Sequence, residues 1–368
     1  MKNIMLIIGT RPEAIKMCPL AYALRKRPDF HVTICATGQH EEMLEQVFQA
    51  FNLTPDHNLH IMKANQNLFD ITMQILNDIR KLYEAEKPAL VLVHGDTTTA
   101  FSAALAAFYM KIPVGHVEAG LRTYRIFAPY PEEFNRQSID SMTSYFFAPT
   151  ENAKSNLLAE KKDDSAIYVT GNTAIDALQY TVDPVYQHPL LTWSNGSRLM
   201  LITIHRRENL GEPMRQIFTA IRKVLDEYDD VRAVYPVHLN PTVQSIARSV
   251  FDGCEKIRLV PPMDVIDFHN IMAKSYLILT DSGGVQEEAP SLKVPVLVAR
   301  NTTERQEGVD AGITKVIGTE TNTVYMECRK LLDQPECYRS MIAEVNPYGD
   351  GKASERIADI ICGLMETT

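Results

Sequence analysis

The sequence predicts an α/β protein made of two doubly wound parallel sheets in tandem, and three observations point to it. Short apolar runs that end in Gly, Asp, His or Thr alternate with longer segments of helical periodicity, as in a parallel sheet covered by helices on both faces. This alternation fades over residues 181–197, where Pro, Asn and Gly interrupt it, and then starts again. The chain of 368 residues also has the length of two ordinary domains.

The first domain is predicted over residues 1–180, a linker over 181–197 and the second domain over 198–347. The predicted strands of the first domain are Ile4–Ile8, Val32–Ala36, Leu90–His94, Val114–Val117, Tyr145–Ala148 and Ile167–Val169. Those of the second domain are Leu199–Ile204, Ala233–Val237, Ile257–Val260, Tyr276–Leu279, Val294–Val298 and Lys315–Ile317. The last segment, residues 348–368, is predicted to contain an amphipathic closing helix, because its isoleucines and leucine recur at helical spacing.

Composition limits the class of protein. With 45% hydrophobic and 23% charged residues, the chain has the average composition of folded globular proteins. A net charge of −9 without a basic stripe disfavours nucleic-acid binding. The six cysteines are scattered and form no CxxC pair, which favours a reducing compartment. No apolar run approaches the ~20 residues of a membrane span, so we expect a soluble cytoplasmic protein without a membrane partner.

Carboxylates follow several strands of the first domain. Ligands of doubly wound sheets bind beyond the carboxyl ends of the strands, where Asp96 and Glu118 are expected to face the crevice. Glu132 and Glu133 follow a Pro-rich loop and are predicted to open a helix, whose dipole favours negative charge there. A helix-terminal charge without a catalytic role remains an alternative for this second pair.

Two histidines stand near these carboxylates. His94 with Asp96, and His116 with Glu118, have the i,i+2 spacing that places two side chains on one face of a strand, as in a metal site. The neighbouring glycines break the strand alternation, and no third ligand cluster completes a site. We therefore expect no metal, and we predict that both histidines are hydrogen-bonded structural residues.

The second domain contains a candidate diphosphate site at Ser282-Gly283-Gly284, between a strand and a helix. Exposed backbone amides and the positive end of a helix favour anionic oxygens, and Glu288 is positioned to reach ribose hydroxyls. A tight turn without a ligand remains the alternative. Cations that follow other strands, Arg11, Lys16 and the segment from His205 to Arg207, are predicted to meet phosphate. The absence of GxGxxG after any strand argues against NAD.

Taken together, six strings of the sequence resemble those of the bacterial non-hydrolysing UDP-N-acetylglucosamine 2-epimerases. They are Gly9-Thr10-Arg11-Pro12-Glu13-Ala14, His94-Gly95-Asp96-Thr97, Val117-Glu118-Ala119-Gly120-Leu121-Arg122, Pro131-Glu132-Glu133, His205-Arg206-Arg207-Glu208-Asn209 and Thr280-Asp281-Ser282-Gly283-Gly284-Val285-Gln286-Glu287-Glu288-Ala289-Pro290-Ser291. The similarity extends from Gly9 to the Asn346–Gly351 segment. It implies a GT-B architecture, in which two Rossmann-like domains face a cleft and a C-terminal helix crosses back to the first domain.

The resemblance also implies roles for individual residues. The residues that match the family's catalytic positions are Asp96, Glu118, Glu132 and His205. Those that match its UDP-binding positions are Arg11, Lys16, Phe268 (against uracil), Ser282, Gly283, Gly284 and Glu288. Those at or near the site where a second UDP-N-acetylglucosamine (UDP-GlcNAc) molecule activates bacterial members are Gln39, His40, Glu42, Arg206 and His238. The family works as a homodimer without a metal or redox cofactor, and its product UDP-N-acetylmannosamine (UDP-ManNAc) supplies envelope polysaccharides such as teichoic acid linkage units and capsules.

Three positions depart from the family pattern. Asn301 and Gln306 stand where the family usually has Asp and Pro, which removes a charge and a rigid turn residue from a substrate-side loop. Glu42 occupies a position that is often Gln in the activator site. None of these changes affects the four positions that match catalytic residues.

The implied chemistry is elimination and re-addition of UDP. The C2 proton of the sugar is not adjacent to a carbonyl group, so it becomes acidic only as the bond from C1 to UDP stretches. UDP then leaves a 2-acetamidoglucal, and reprotonation on the other face gives the epimer, which requires two acid/base groups. A GT-B glycosyltransferase, a hydrolysing epimerase and a non-catalytic nucleotide-sugar sensor remain as alternatives.

Overall fold

The computed structural model describes residues 1–38, 41–63, 66–342 and 344–366. It divides into two compact units. Unit 1 comprises Met1–Tyr180 and Tyr348–Thr368, and unit 2 comprises Thr181–Pro347. Within the described ranges, no helix is long and apolar enough to cross a membrane.

The elements alternate along the chain as in a doubly wound fold. The strands are β1 (Lys2–Ile8), β2 (Phe30–Ala36), β3 (His57–Asn58), β4 (Leu90–His94), β5 (Val114–Val117), β6 (Tyr145–Ala148), β7 (Ile167–Val169), β8 (Arg198–Thr203), β9 (Val231–Pro236), β10 (Ile257–Val260), β11 (Leu277–Thr280), β12 (Val296–Val298) and β13 (Thr314–Val316). The helices are α1 (Arg11–Arg25), α2 (Glu41–Ala50), α3 (Leu68–Glu86), α4 (Thr98–Tyr109), α5 (Glu132–Met142), α6 (Glu151–Ala159), α7 (Thr173–Thr181), α8 (Pro189–Trp193), α9 (Glu212–Glu227), α10 (Pro241–Phe251), α11 (Val265–Ala273), α12 (Gly283–Glu288), α13 (Gln306–Asp310), α14 (Thr321–Asp333), α15 (Pro335–Ser340) and α16 (Ala353–Glu366).

Unit 1 contains a parallel sheet with the strand order β3-β2-β1-β4-β5-β6-β7. Its central strands are apolar on both faces: in β1, every residue from Ile4 to Ile8 is fully buried. The order of the strands reverses between β1 and β4. From β1 the chain continues to β2 on one side of this point, and from β4 it continues to β5 on the other side. Such a switch point opens a crevice at the carboxyl ends of the strands, where ligands of this fold class bind.

Unit 2 repeats the arrangement with the parallel order β10-β9-β8-β11-β12-β13. Its switch point lies between β8 and β11, which pair in register from Leu277 opposite Met200 to Thr280 opposite Thr203. The residues that follow these two strands, His205 and Asp281, therefore lie at the edge where the fold offers a site.

The predicted fold class is confirmed, and each predicted strand is present to within a few residues. The sequence pattern missed only β3 among the described strands, since two residues are too short for an alternation. The closing helix is α16, which packs on α1 and buries Ile357 and Ile361 in the same apolar cluster as Leu20. The segment predicted as a linker contains the short helix α8.

Candidate active site

The turn between β1 and α1 lies directly against the start of α4. A Cβ atom on Gly9 would come within 2.2 Å of Thr99 Oγ1, so a larger residue would push the two loops at the switch point apart. Arg11 is the first residue of α1 and is half-buried beside this turn. The close approach brings the loop after β1 and the loop after β4 into one site.

Glu13 holds these two loops together, a role that sequence reasoning did not assign. Its carboxylate accepts hydrogen bonds from the backbone N–H groups of Gly9 (2.9 Å) and Thr10 (2.7 Å). It also accepts from the hydroxyls of Thr10 (2.9 Å) and Thr97 (2.7 Å). Burial raises the pKa of Glu13 to about 7, although these hydrogen bonds oppose the change. The Thr-x-x-Glu capping pattern at residues 10–13 was the available signal.

Asp96 lies at the carboxyl end of β4 and forms an ion pair with Arg136 of α5 at 2.6 Å. The side-chain amide of Asn135 donates to the backbone carbonyl of Asp96 at 2.9 Å. Helix α5 therefore holds both the side chain and the backbone of Asp96. Burial raises the pKa of Asp96 above its usual value, and the charges of Glu118 and Glu132 add to this against the opposing effect of Arg136. Burial and the neighbouring carboxylates thus make Asp96 a weaker acid than a solvent-exposed aspartate.

Glu118 follows β5 and is surrounded by donors. Its Oε2 accepts from the ammonium of Lys16 and from the amide of Asn172, the latter at 2.9 Å. Its backbone has a φ of +69°, which is uncommon for a residue with a side chain. Lys16, predicted to meet phosphate, thus pairs with a carboxylate in unit 1, and its role toward phosphate stays a prediction.

The two histidines differ from each other. His116 is hydrogen-bonded at both ring nitrogens, to Asp140 and to the Gly95 carbonyl, as predicted. Among the described residues, Nε2 of His94 has no hydrogen-bond partner and lies 3.7 Å from Glu118 Oε2. Burial lowers the pKa of His94 to about 3, so this ring is neutral and is tolerated beside the Glu118–Lys16 pair. Within the part of the chain that is described, no group of three or more His, Cys, Asp and Glu residues could hold a metal ion.

Glu132 is the first residue of α5, which confirms the predicted helix start. The adjacent Glu133 points elsewhere and is fully buried. It accepts from the backbone N–H groups of Thr123 (3.1 Å) and Tyr124 (3.0 Å) and from the Gln137 amide (2.7 Å). The two neighbouring carboxylates therefore have different roles. Glu133 holds the loop before α5 through hydrogen bonds, whereas Glu132 lies at the helix N-terminus as a candidate for catalysis.

In unit 2, the buried Asp281 organises the loop that contains His205. Its carboxylate accepts from the backbone N–H groups of His205 (3.0 Å) and Arg206 (2.8 Å) and from the Asn209 amide (2.9 Å). The ring of His205 stacks on that of His238, with centroids 5.8 Å apart. Burial lowers the pKa of His205, although the charge of Asp281 opposes this.

The Ser282-Gly283-Gly284 turn opens α12 and lies under an ion-pair cluster. A Cβ atom on Gly283 would be 3.3 Å from Glu304 Oε1 and 3.5 Å from Arg305 Cζ, so glycine lets these side chains approach the backbone. Glu304 pairs with Arg206, Arg300 and Arg305. Although burial alone would raise it, these three charges lower the pKa of Glu304 to about 2. Sequence reasoning missed this cluster because its members come from separate loops.

Glu288 is mostly buried at the end of α12, with Oε2 3.5 Å from Nε2 of His269. The other ring nitrogen of His269 is 2.7 Å from the hydroxyl of Thr181. Phe268, on α11, is half-buried with its ring 6.2 Å from that of His269. The structure therefore brings the predicted ribose and uracil residues to neighbouring positions in unit 2.

The predicted activator residues are only partly described. Gln39 and His40 lie outside the described residues, and the side chain of Glu42 is not described. Arg206 bonds to the Asp281 carbonyl at 3.1 Å and to Glu304 at 3.2 Å, and His238 stacks on His205. Of the departures from the family pattern, Asn301 is exposed, and Gln306 starts α13 with its amide bonded to Asp310.

Comparison with known proteins identifies the family. The model of the UDP-N-acetylglucosamine 2-epimerase family matches residues 22–362. UDP-N-acetylglucosamine 2-epimerase of Bacillus subtilis is 53% identical over 357 residues, which cover 97% of this chain and 94% of that protein.

Solved structures agree with this match. The S. aureus MnaA–UDP complex has a TM-score of 0.93 at 49% identity, covering 100% of this chain and 98% of that one. UDP-GlcNAc 2-epimerase from Neisseria meningitidis bound to UDP-GlcNAc has a TM-score of 0.91 at 43% identity, covering 98% and 100%. Identity at this level over the whole length, together with the carboxylates and the glycine turn at the two switch points, means that the chain belongs to the UDP-N-acetylglucosamine 2-epimerase family.

Proposed function

We propose that this protein is a non-hydrolysing UDP-N-acetylglucosamine 2-epimerase, which interconverts UDP-GlcNAc and UDP-ManNAc without releasing free sugar. The observation that carries the proposal is the carboxylate group of unit 1, formed by Asp96, Glu118 and Glu132. Their charges act on one another, because Glu118 and Glu132 both raise the pKa of Asp96 beyond the effect of burial. Membership of the family supplies the substrate class.

In this proposal, unit 2 binds the UDP moiety. The Ser282-Gly283-Gly284 turn offers backbone amides to the diphosphate, and Arg305 lies above it as a counter-charge. Glu288 takes the ribose hydroxyls and Phe268 packs on uracil. Two relatives of known structure, from S. aureus and Neisseria meningitidis, were solved with UDP and with UDP-GlcNAc, which supports this assignment.

The carboxylates of unit 1 then act at C2 of the sugar. Departure of UDP gives C1 positive character, and the C2 proton passes to a carboxylate as the 2-acetamidoglucal forms. Donors that hold the diphosphate stabilise charge that develops only in the transition state. Return of UDP after protonation of the opposite face gives the epimer, so the reaction needs no redox step.

The two faces of C2 call for one group that takes a proton and another that gives one. The environments of Asp96 and Glu118 differ in the way this requires. Burial and the charges of Glu118 and Glu132 raise the pKa of Asp96 against the opposing charge of Arg136, whereas Glu118 accepts hydrogen bonds from the Lys16 ammonium and the Asn172 amide. We assign His205 to the departing phosphate, where its ring would donate a hydrogen bond.

Incubation with UDP-GlcNAc alone in D₂O, followed by NMR, tests the proposal. The protein should form UDP-ManNAc and incorporate deuterium at C2 of the nucleotide sugar. A carboxylate that has taken the proton from one face cannot return it to the other, so the incoming hydron must come from a group equilibrated with solvent. Epimerised product without deuterium would contradict the elimination mechanism.

The same experiment separates the alternatives. A hydrolysing epimerase would accumulate free ManNAc and UDP. A glycosyltransferase without its acceptor would at most release UDP and GlcNAc slowly, with C2 untouched, and a sensor protein would leave the substrate unchanged. The first two results would replace the proposed reaction by a named one, and the third would replace it by binding without a reaction.

Regulation and assembly complete the proposal. We propose that a second UDP-GlcNAc activates the enzyme, with Arg206 and His238 of unit 2 contributing to its site.

We also propose a homodimer, because helices α3, α4 and α5 of unit 1 expose large apolar side chains: Phe69, Met73, Phe108, Tyr109 and Phe134. A Phe108→Glu variant should then be a monomer by static light scattering, and a monomeric parent protein would contradict the assembly. The product would supply envelope polysaccharides.

A further inference from the structure

His116 lies within β5 and is fully buried between two acceptors. Its Nε2 is 2.7 Å from the carbonyl oxygen of Gly95, and its Nδ1 is 2.6 Å from Oδ1 of Asp140. A carbonyl oxygen and a carboxylate can only accept, so both ring nitrogens donate. The ring therefore links the Gly95 carbonyl to the Asp140 carboxylate.

Asp140, on α5, continues the chain of hydrogen bonds. Its second oxygen accepts from the backbone N–H of Gly120 at 3.2 Å and from the guanidinium of Arg122 at 2.7 Å. Burial alone would raise the pKa of Asp140, but the charges and hydrogen bonds of His116 and Arg122 outweigh it and hold the pKa below its usual value. Arg122 is in turn held by two bonds to Glu160, at 2.6 and 2.8 Å.

The path through these residues connects the two loops that contain the candidate catalytic carboxylates. Gly95 immediately precedes Asp96, and Gly120 follows Glu118 by two residues. These hydrogen bonds run from the Gly95 carbonyl through His116 and Asp140 to the Gly120 amide. They therefore join the loop after β4 to the loop after β5. We call this pair of residues, His116 and Asp140, the clamp.

The backbone beside the clamp needs such support. Glu118 and Gly120 both have positive φ, at +69° and +85°. A non-glycine residue in the left-handed region persists where surrounding contacts hold it, commonly at functional sites. Gly120 has no room for a side chain, because a Cβ atom there would lie 2.3 Å from the Ala153 carbonyl oxygen.

Stabilisation of the fold does not by itself explain why polar and charged side chains are buried at the clamp. A buried ion pair is costly to desolvate, and neutral or apolar residues of similar volume often stabilise a fold as well or better. Charged groups do provide short, directional bonds of defined length. Hydrogen bonds to the buried Asp140 carboxylate are thus better suited to fixing the separation of two loops than to stabilising the fold.

We propose that His116 and Asp140 are positioning residues, which set the placement of the Asp96 and Glu118 carboxylates on the two sides of C2. Neither residue touches the substrate, because both side chains are fully buried. This inference rests on the proposed epimerase function, and it assigns a role in the reaction to residues outside the candidate catalytic set.

Asp140→Asn tests the proposal, with Asp176→Asn as its matched control. Asp176 is also a buried aspartate of unit 1 that accepts backbone N–H groups, those of Ala353 (3.2 Å) and Ser354 (2.6 Å), but it holds α16 instead of the active-site loops. Misplaced catalytic groups cost about 10- to 100-fold in rate. We therefore expect kcat of Asp140→Asn to fall by about that factor while KM for UDP-GlcNAc changes less than about threefold.

The control should lose thermal stability to a similar extent and keep kcat per folded molecule within about twofold of the parent protein. His116→Gln gives a second measurement if Asp140→Asn does not fold. Its amide can still donate to the Gly95 carbonyl, so it should recover part of the kcat that His116→Ala loses. A wild-type kcat in Asp140→Asn or His116→Ala, or equal losses of kcat in Asp140→Asn and Asp176→Asn, would overturn the proposal.

Failure of the clamp and failure of the proposed function give different results. If the parent protein does not epimerise UDP-GlcNAc, the proposed function fails and the clamp is judged from a crystal structure of His116→Gln, and of Asp140→Asn where it folds. Displacement of the loops at Asp96 and Glu118 relative to the parent structure would support the clamp, and unchanged loops would overturn it.

Discussion

Glu13 offers a measurable link between protonation and the stability of unit 1. Burial raises its pKa from 4.5 to about 7. In the unfolded chain the carboxyl group titrates at its ordinary pKa, so between these values the native state binds a proton that the unfolded state has released. The free energy of unfolding contributed by this group therefore falls as pH rises through that window.

The size of the effect follows from the two pKa values. At about 1.4 kcal/mol for each unit of pKa, the difference between 4.5 and about 7 corresponds to about 3 kcal/mol. Glu13→Gln removes the titration and preserves the shape. Its amide oxygen can accept from the N–H groups of Gly9 and Thr10, and its NH₂ can donate to the Thr97 hydroxyl oxygen. The variant should thus gain about 3 kcal/mol relative to the parent protein as pH rises.

Equilibrium urea unfolding, followed by far-UV circular dichroism at a series of pH values from about 4 to about 8, measures this difference. Glu133→Gln is the matched control, because Glu133 is an equally buried glutamate of unit 1 with the opposite behaviour. Burial alone would raise the pKa of Glu133, but the hydrogen bond from Gln137, the backbone N–H of Thr123 and the charge of Arg136 lower it. That variant should be less stable than the parent protein by a constant amount above the unfolded pKa, and this deficit should shrink as pH falls below it. A pH-independent difference between Glu13→Gln and the parent would refute the reasoning.

Three further predictions concern catalysis and binding. Asp96→Asn, Glu118→Gln and Glu132→Gln should fold normally by circular dichroism but lose about 10²- to 10⁴-fold in kcat, and near-native turnover would remove that residue from the mechanism. Asp281→Asn places an amide NH₂ against the N–H donors of the His205 loop; it should lower the free energy of unfolding by about 1–3 kcal/mol and weaken UDP binding by calorimetry. Unchanged values of both would show that the loop does not depend on this carboxylate. Initial velocity against UDP-GlcNAc should be sigmoidal, and UDP-ManNAc alone should react poorly until traces of UDP-GlcNAc are added. Hyperbolic kinetics with fully competent UDP-ManNAc would exclude activation.

Part of the site was accessible from local sequence. Asp96, Glu118 and Glu132 follow apolar strand patterns or a proline-rich loop, and their positions at strand ends and at a helix start could be read from those patterns alone. The Ser282-Gly283-Gly284 turn was recognisable for the same reason, because a strand, a turn and a helix are each specified by neighbouring residues.

The partners of these groups were not accessible in that way. Glu13 and Thr97 are 84 positions apart, Lys16 and Glu118 are 102 apart, and His116 and Asp140 are 24 apart. Each pair meets only because strands and helices that are separate in the chain pack together in the folded unit. Periodicity cannot report such contacts, and it also could not show that Nε2 of His94 has no hydrogen-bond partner among the described residues.

The sequence by itself determined the two parallel sheets, the strands that end in polar groups and the residue types available for catalysis, because hydrophobic periodicity and turn chemistry are local properties. Only the tertiary structure decided which carboxylate is buried with a raised pKa, which is paired with a cation and which serves the backbone. Those properties depend on burial and on the charges within a few ångströms, and strand order sets both.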